Sequence, residues 1–296
     1  MAVKFHTMKN VTDHPNRTIV VLGATGQQGG GVIRALAADG RWRLRAITRD
    51  PSSDAAKALA SRDIEIVSAN LDDPHSMRSA LNGAYGVYSM QTSDQRHDKE
   101  IRRGMAIADA ALDAGVSHFV YASVGGADRR SGVPHFESKW EIERGIARKG
   151  LPATIVRPTF FMENFTKLSL RAVLMALLQQ YVPDGKRLQM ISVDDIGKWV
   201  VRAFDNPESF IGKAEEIAGD ELTREEIVAA LKAKGWFAGL PFPVPRALLR
   251  HLPGDAIKMF EWFGAEGYRA DIAALRSAQP DLMTFAQWLQ AQSARS

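Results

Sequence analysis

From Arg17 onward, short apolar runs alternate with segments whose apolar residues recur every three or four positions. "TIVVL" is a β-branched run closed by glycine. In "GGGVIRALAADG", which follows it, Val32 and Leu36, and Ile33 and Ala37, lie one helical turn apart, and Gly40 supplies a stop. The alternation continues through "RLRAITR", "SSDAAKALAS", "IEIVSANL", "PHSMRSALNG" and "AYGVYSM". A longer helix with Ile101, Met105, Ala108 and Leu112 on one face leads to "HFVYAS", then a helix over "PHFESKWEIE", then the strand "ATIVRPTFF". Near-continuous apolar strands separated by amphipathic helices predict an α/β fold, a doubly wound parallel sheet covered on both faces.

The pattern changes after Thr166. Helical periodicity dominates, interrupted by the proline-rich joints "GLPFPVPRALL" and "RHLPGDAI", and "LTREEIVAALKAKG" opens on a capping box of Thr223 and Glu226. A smaller, mainly helical C-terminal domain is expected over 166–192 and 219–296. Residues 17–165 form the sheet domain, and 193–218, with "ISVDDIGKWVVRAF", return to it. Within that return, Asp194-Asp195 resembles a carboxylate pair, but one of the two is expected to cap the following helix.

Composition adds mainly exclusions. The 296 residues, 45% hydrophobic and 24% charged, describe an ordinary globular chain with a sizeable core. The net charge of +4 is spread among 38 basic and 34 acidic residues, without the clustered, aromatic-flanked positives of a nucleic-acid surface. No cysteine is present, which rules out disulfides and thiolate chemistry and suits a reducing, cytoplasmic setting. Residues 1–16 read as a polar extension, since they contain Asp13 and no apolar stretch of signal-peptide type. The longest apolar run, Ala172 to Leu178, is too short to span a bilayer. The seven histidines show no metal-ligand spacing with acids, so no metal site is expected.

The strongest chemical signal is "VVLGATGQQGGGVIRAL". Gly23, Gly26 and Gly29 lie between the first strand and the first helix, where a tight turn and free helix N–H groups receive a pyrophosphate. The spacing is G-x-x-G-x-x-G, a variant of the commoner dinucleotide fingerprint. The second strand ends on "TRDP". Arg49 stands about twenty positions beyond the glycines, where NAD-preferring folds carry an acid. A guanidinium there suits a ribose 2′-phosphate, so NADP(H) is expected over NAD(H), with Asp50 on the ribose as the alternative.

"GATGQQGG", "ITRDP", "LNGAYGVY", "PHFESKWEIE", "RPTFFMENF", "VDDIG" and "MTFAQWL", in that order, resemble the NmrA-like family of atypical short-chain dehydrogenases/reductases, in its HSCARG-like branch. The likeness runs from about residue 17 to about residue 292. It implies a Rossmann fold with NADP(H) in the cleft. By that likeness Gly23, Thr25, Gly26, Gln28 and Gly29 would hold the pyrophosphate and Arg49 the 2′-phosphate. Asn70 and Leu71 would lie near the adenine, Met90, Gln91 and Thr92 beside the nicotinamide ribose, and Lys139 on the ribose hydroxyls. Pro158, Phe160 and Phe161 would line the nicotinamide end, and Phe161, Met162 and Asn164 a pocket for substrate or partner. From the residues alone, the aromatic run serves equally as core between the domains.

His135 poses the functional question. Ordinary members of the superfamily use a Tyr-x-x-x-Lys pair, in which a phenol delivers the proton that accompanies hydride transfer to a carbonyl. Here Lys139 is kept and His135 occupies the tyrosine place, with Ser123 where a carbonyl-polarising serine is usual. His135 and Lys139 lie on the helix face that continues to Ile142 and Ile146 and so point inward. Three readings follow. The chemistry has been lost and the chain is a cofactor-responsive regulator acting through a protein partner. It is an NADPH-dependent reductase of a small apolar acceptor (quinone, enone, aldehyde or cationic dye) that uses Lys139 or Ser123. Or His135 is itself the acid. The Ile101 to Leu112 helix serves either a homodimer or the core.

Overall fold

The structure is a computed structural model that describes residues 17–91, 97–240, 242, 244–249 and 251–292. The 1–16 extension and Thr92 lie outside the described residues.

The chain opens with β1 (Thr18–Leu22), α1 (Gln27–Asp39), β2 (Arg43–Thr48), α2 (Asp54–Ala60), β3 (Glu65–Ser68) and α3 (Pro74–Leu81). It continues through β4 (Ala84–Ser89), α4 (His97–Asp113), β5 (His118–Ala122), α5 (Pro134–Arg148) and β6 (Ala153–Pro158). In β1, Ile19 and Val21 face one core, with α1, and Val20 and Leu22 the other, with α3 and α4. The period-2 side-chain direction of a strand buried on both sides explains the unbroken "TIVVL".

Next come β7 (Phe160–Phe161), α6 (Leu168–Tyr181), β8 (Arg187–Ile191), α7 (Val193–Asp205), α8 (Pro207–Phe210), β9 (Ala214–Ile217), β10 (Asp220–Thr223) and α9 (Arg224–Ala233). The chain closes with α10 (Arg246–Leu249), α11 (Gly254–Ala265), α12 (Ile272–Ala278) and α13 (Phe285–Ala291).

Seven strands form one parallel sheet in the order β3-β2-β1-β4-β5-β6-β9. This is a Rossmann-type α/β fold. The order reverses between β1 and β4, so their C-terminal ends open the crevice where such sheets receive ligands. A second sheet, β10-β8-β7, lies among the later helices; periodicity gave no sign of it. A third apolar core joins that sheet's inner residues, such as Phe160 and Met190, to Phe260, Phe263 and Trp288.

The Ile101–Leu112 stripe of α4 is split: Ala108 is fully buried and Ile101 packs partly against the α3–α4 core, while Leu112 is 46% exposed. The helix also buries Glu100, Gly104, Ile107 and Ala111. Gly104 is the reason: a Cβ there would sit 2.7 Å from Ile142 of α5, so the two helices meet on that side. Neither member of the Asp194-Asp195 pair caps α7. The Ser192 hydroxyl accepts from the Asp195 N–H, while Asp194 pairs with Arg34 of α1 at 2.6 Å.

Helices α1 and α7 cross through glycine. A Cβ on Gly31 would stand 2.3 Å from the Val193 carbonyl oxygen, and one on Gly197 2.5 Å from that of Gly31. At this crossing backbone rests on backbone.

Candidate functional site

The loop from Leu22 into α1 is shaped for a close visitor. Gly23 holds φ +65°, a left-handed conformation natural to glycine, and a Cβ there would strike Met90 at 2.5 Å. A Cβ on Gly29 would stand 2.3 Å from the Gly23 carbonyl oxygen, so the third glycine lets the helix seat directly on the loop. Gly26 begins α1 with no side-chain cap, which leaves first-turn N–H groups for another acceptor. Thr25 and Gly26 are exposed, whereas Gln28 is buried and its Nε2 has no hydrogen-bond partner among the described residues. An unpartnered amide in this cradle fits a dinucleotide.

At the tip of β2, Arg49 is exposed and has no ion-pair partner among the described residues. Asp50 is occupied by its own turn: Oδ1 accepts from the Ser52 N–H at 2.9 Å and from its hydroxyl at 2.6 Å. Those bonds hold the carboxyl below its ordinary pKa. Asn70 turns back on its own chain, accepting the Asp72 N–H at 3.0 Å, and Leu71 packs partly against the α3–α4 core.

At the far side of the crevice, α5 delivers Lys139 beneath the end of β4. Its Nζ donates to the Gln91 carbonyl at 3.1 Å, lies 2.8 Å from Glu100 Oε1, and stands 5.7 Å from the centre of the Tyr121 ring. The Glu100 contact is an ion pair off hydrogen-bond angle, since Oε1 has no hydrogen-bond partner among the described residues; Oε2 accepts the Ser138 hydroxyl at 2.8 Å. Gln91 is buried, with Nε2 on Ser89 at 2.9 Å and Oε1 without a partner among the described residues. Tyr121, the phenol whose ring Lys139 overlies, is fully buried, and burial raises its pKa well above the ordinary value.

His135 sits at the mouth of this arrangement. Its Nδ1 is 4.0 Å from Asp255 of α11, whose carboxylate lies 3.1 Å from His97 Nε2. Burial, the larger influence, lowers the His135 pKa against the opposing pull of Asp255. Ser123 points elsewhere: its hydroxyl donates to Glu143, and Arg157 grips that carboxylate through Nε at 3.0 Å and Nη2 at 2.6 Å. The structure therefore gathers Gly23, Met90, Gln91 and Lys139 at the β1–β4 crevice and keeps the Ser123 proton in a separate buried network.

The "RPTFF" stretch divides. Pro158, Phe160 and Met162 are buried, and Phe160 makes edge-to-face contacts with Phe165, Phe260 and Phe263. Phe160 and Met162 belong to the third core, while Phe161 and Asn164 are half-buried. Sequence reasoning missed Glu100, Glu143 and Arg157. The signal for Glu100 was its place on the Gly104–Ile107–Ala111 face of α4, and for Glu143 its place one turn after Lys139 on the inward face of α5.

Glu163 was missed as well. Its two carboxylate oxygens accept from Trp288 Nε1 at 2.9 Å and the Val193 N–H at 3.2 Å, tying α13 to the start of α7. Burial outweighs these donors and raises its pKa to about 7. A carboxyl raised on folding stabilises most below the unfolded pKa, and that contribution fades as pH climbs through the folded value. Wild type is therefore expected to lose stability relative to Glu163→Gln between pH 5 and pH 8, by up to about 3 kcal/mol. Parallel urea titrations at the two pH values measure it, and a constant difference would contradict the assignment.

Among the described residues no cluster of three His, Asp or Glu side chains is placed to hold a metal ion, and no helix is long and apolar enough to cross a membrane.

A Rossmann sheet with a glycine cradle at its switch point and a lysine beneath the next strand defines the class. The chain belongs to the NmrA-like family, which residues 15–287 match; the match is to the family and does not single out the HSCARG-like branch. The NmrA-like family domain-containing oxidoreductase malD of Malbranchea aurantiaca is 32% identical over 244 residues, 73% of this chain and 72% of that protein. An NADPH-dependent quinone oxidoreductase of Escherichia coli, solved with NADPH, superposes with a TM-score of 0.75 at 24% identity, covering 93% of this chain and 99% of that one. NmrA, a negative transcriptional regulator solved with NADP, superposes with a TM-score of 0.75 at 21% identity, covering 93% and 94%.

Proposed function

We propose that this chain binds NADP(H) in the β1–β4 crevice and acts as a cofactor-responsive regulator through a protein partner. Gly23, Thr25, Gly26, Gln28 and Gly29 would hold the pyrophosphate, Arg49 the 2′-phosphate, and Asn70 and Leu71 would border the adenine. Met90, Gln91 and Lys139 would border the nicotinamide ribose. When bound, the nicotinamide supplies a hydride and a ring charge that differs between its two oxidation states.

The observation that carries the regulatory reading is that the phenol is missing and the Ser123 hydroxyl is turned away. His135 occupies the tyrosine place, and the Ser123 hydroxyl donates to Glu143 in a buried network with Arg157. Carbonyl reduction needs a donor at the developing alkoxide. A regulator needs only that the two cofactor states bind differently or favour different shapes. The NADP-bound regulator of the same fold supports the reading.

A second reading, an NADPH-dependent reductase, is favoured by malD and the quinone oxidoreductase and by the half-buried Phe161 and Asn164. Quinones and cationic dyes accept hydride with little help from a proton donor, so the missing phenol does not exclude them.

Mixing the protein with NADPH and quinones, enones, aldehydes or cationic dyes, and following NADPH absorbance, separates the two. Tight NADPH binding without acceptor-dependent consumption upholds the regulator; consumption above the protein-free rate replaces it with the reductase. The cofactor preference has its own test. Arg49→Ala is expected to weaken NADPH binding about 10- to 100-fold, the worth of charge-assisted bonds to phosphate, and to leave NADH nearly unchanged. Equal loss for both would remove Arg49 from the 2′-phosphate.

A further inference from the structure

Glu100 is the most deeply buried acid at the crevice. Its side chain is 0% exposed, that of its partner Lys139 is 10% exposed, and the pair sits where α4 and α5 meet under the end of β4. A carboxylate loses its hydration in such a place, and a neutral amide of the same shape could still meet the Ser138 hydroxyl and the lysine. What a glutamate adds is a fixed negative charge.

That charge has a specific consequence if the crevice holds NADP(H), the reading on which this inference rests. NADP⁺ and NADPH present the same phosphates and riboses and differ at the nicotinamide, which is cationic when oxidised and neutral when reduced. The ratio of their affinities therefore reports the local potential at that ring. Lys139 alone would make the potential positive and disfavour NADP⁺. Asp255 contributes a second negative charge on the α11 side, shared with His97 and His135. It is 35% exposed and correspondingly screened, whereas Glu100 is not.

We propose that Glu100 is the residue that sets redox-state selectivity: by cancelling the charge of Lys139 it lets the site accept the oxidised cofactor. Glu100, with its side chain 0% exposed behind Lys139, acts through the field at the ring. A purely structural role for the pair would weaken both cofactor states together and leave their ratio alone.

The test is the ratio of dissociation constants, NADP⁺ over NADPH, measured by calorimetry for wild type, Glu100→Gln, Lys139→Met and the double variant. A denaturation curve for each shows that it is folded. Glu100→Gln leaves an unbalanced positive charge, and the ratio is expected to rise about tenfold, the effect of one unit charge about 10 Å from another at an effective dielectric constant of about 20. Lys139→Met leaves an unbalanced negative charge, and the ratio is expected to fall. The double variant restores neutrality and should return towards the wild-type ratio, even if one single variant fails to fold. Ratios that stay constant, or that move in one direction in both single variants, overturn the proposal. A double variant far from wild type does the same. Wild type that binds neither cofactor overturns the NADP(H) reading beneath it.

Discussion

Replacing Lys139 with methionine is expected to destabilise the fold by about 3–5 kcal/mol, the usual cost of leaving one member of a buried ion pair without its partner. Glu100, fully buried, would keep the Ser138 hydroxyl but lose its counter-charge, and Gln91 would lose the ammonium at its carbonyl. The cost lies in the stranded carboxylate and not in the lost lysine. Adding Glu100→Gln to Lys139→Met should therefore recover most of the loss, because the remaining groups are neutral and the amide can still serve Ser138. Urea denaturation of the two single variants and the double variant gives the coupling directly; an additive result would show that the pair is not a unit. The same arithmetic governs any activity experiment. Loss of NADPH turnover in a Lys139 single variant would report unfolding as readily as chemistry, and the double variant is the control that separates them.

The second large effect belongs to Gly29. Alanine there would place a Cβ 2.3 Å from the Gly23 oxygen, 2.5 Å from the Gly23 carbonyl carbon and 2.8 Å from the Leu22 oxygen. All three are backbone atoms, so no side chain can swing aside, and the loop must lift off the helix. Overpacking of this kind costs about 1–3 kcal/mol in the folded state. It also displaces the cradle itself, so NADPH affinity is expected to fall at least about 100-fold. Gly30→Ala is the matched control. Its Cβ would meet Arg34 Nη1 at 3.3 Å and the Ala24 oxygen at 3.5 Å, contacts that a flexible guanidinium accommodates. Its affinity should stay within about threefold of wild type. Calorimetric titration of both variants checks the pair, and equal losses would mean that the loop does not hold the pyrophosphate.

The parallel sheet was legible because strands buried on both faces must be written as near-continuous apolar runs, and β1, β5 and the first half of β6 are, with Arg157 the charged exception. The capping box of α9 was legible because it is local: Thr223 and Glu226 satisfy each other's N–H groups three residues apart. The second sheet was not. β10 is "DELT", β9 of the main sheet is "AEEI", and four polar or mixed residues carry no period that a window can detect. The cradle of the site was likewise readable from glycine spacing, whereas its charge balance was not. Glu100 and Lys139 are 39 positions apart, and "HDKEIRRG" looks like the solvated start of a helix. Only the choice of buried face on α4 reveals that the glutamate is inside. That face is fixed by Gly104 meeting Ile142, a tertiary fact. The aromatic run after Pro158 divides for a similar reason: Phe160 finds Phe260 and Phe263, which lie a hundred residues onward.

The crossing of α1 and α7 at Gly31 and Gly197 bears on mechanical compliance. Helices that meet through long side chains can slide, because rotamers act as soft springs between the two axes. Here main chain meets main chain at Gly31 and Gly197, with only short side chains such as Ala35 beside the contact. Helix α1, which begins at the glycine cradle, and α7, whose first residue is held by Glu163, must shift as one body. The cradle is therefore joined through a stiff helix crossing to the Glu163–Trp288 clasp near the other end of the chain.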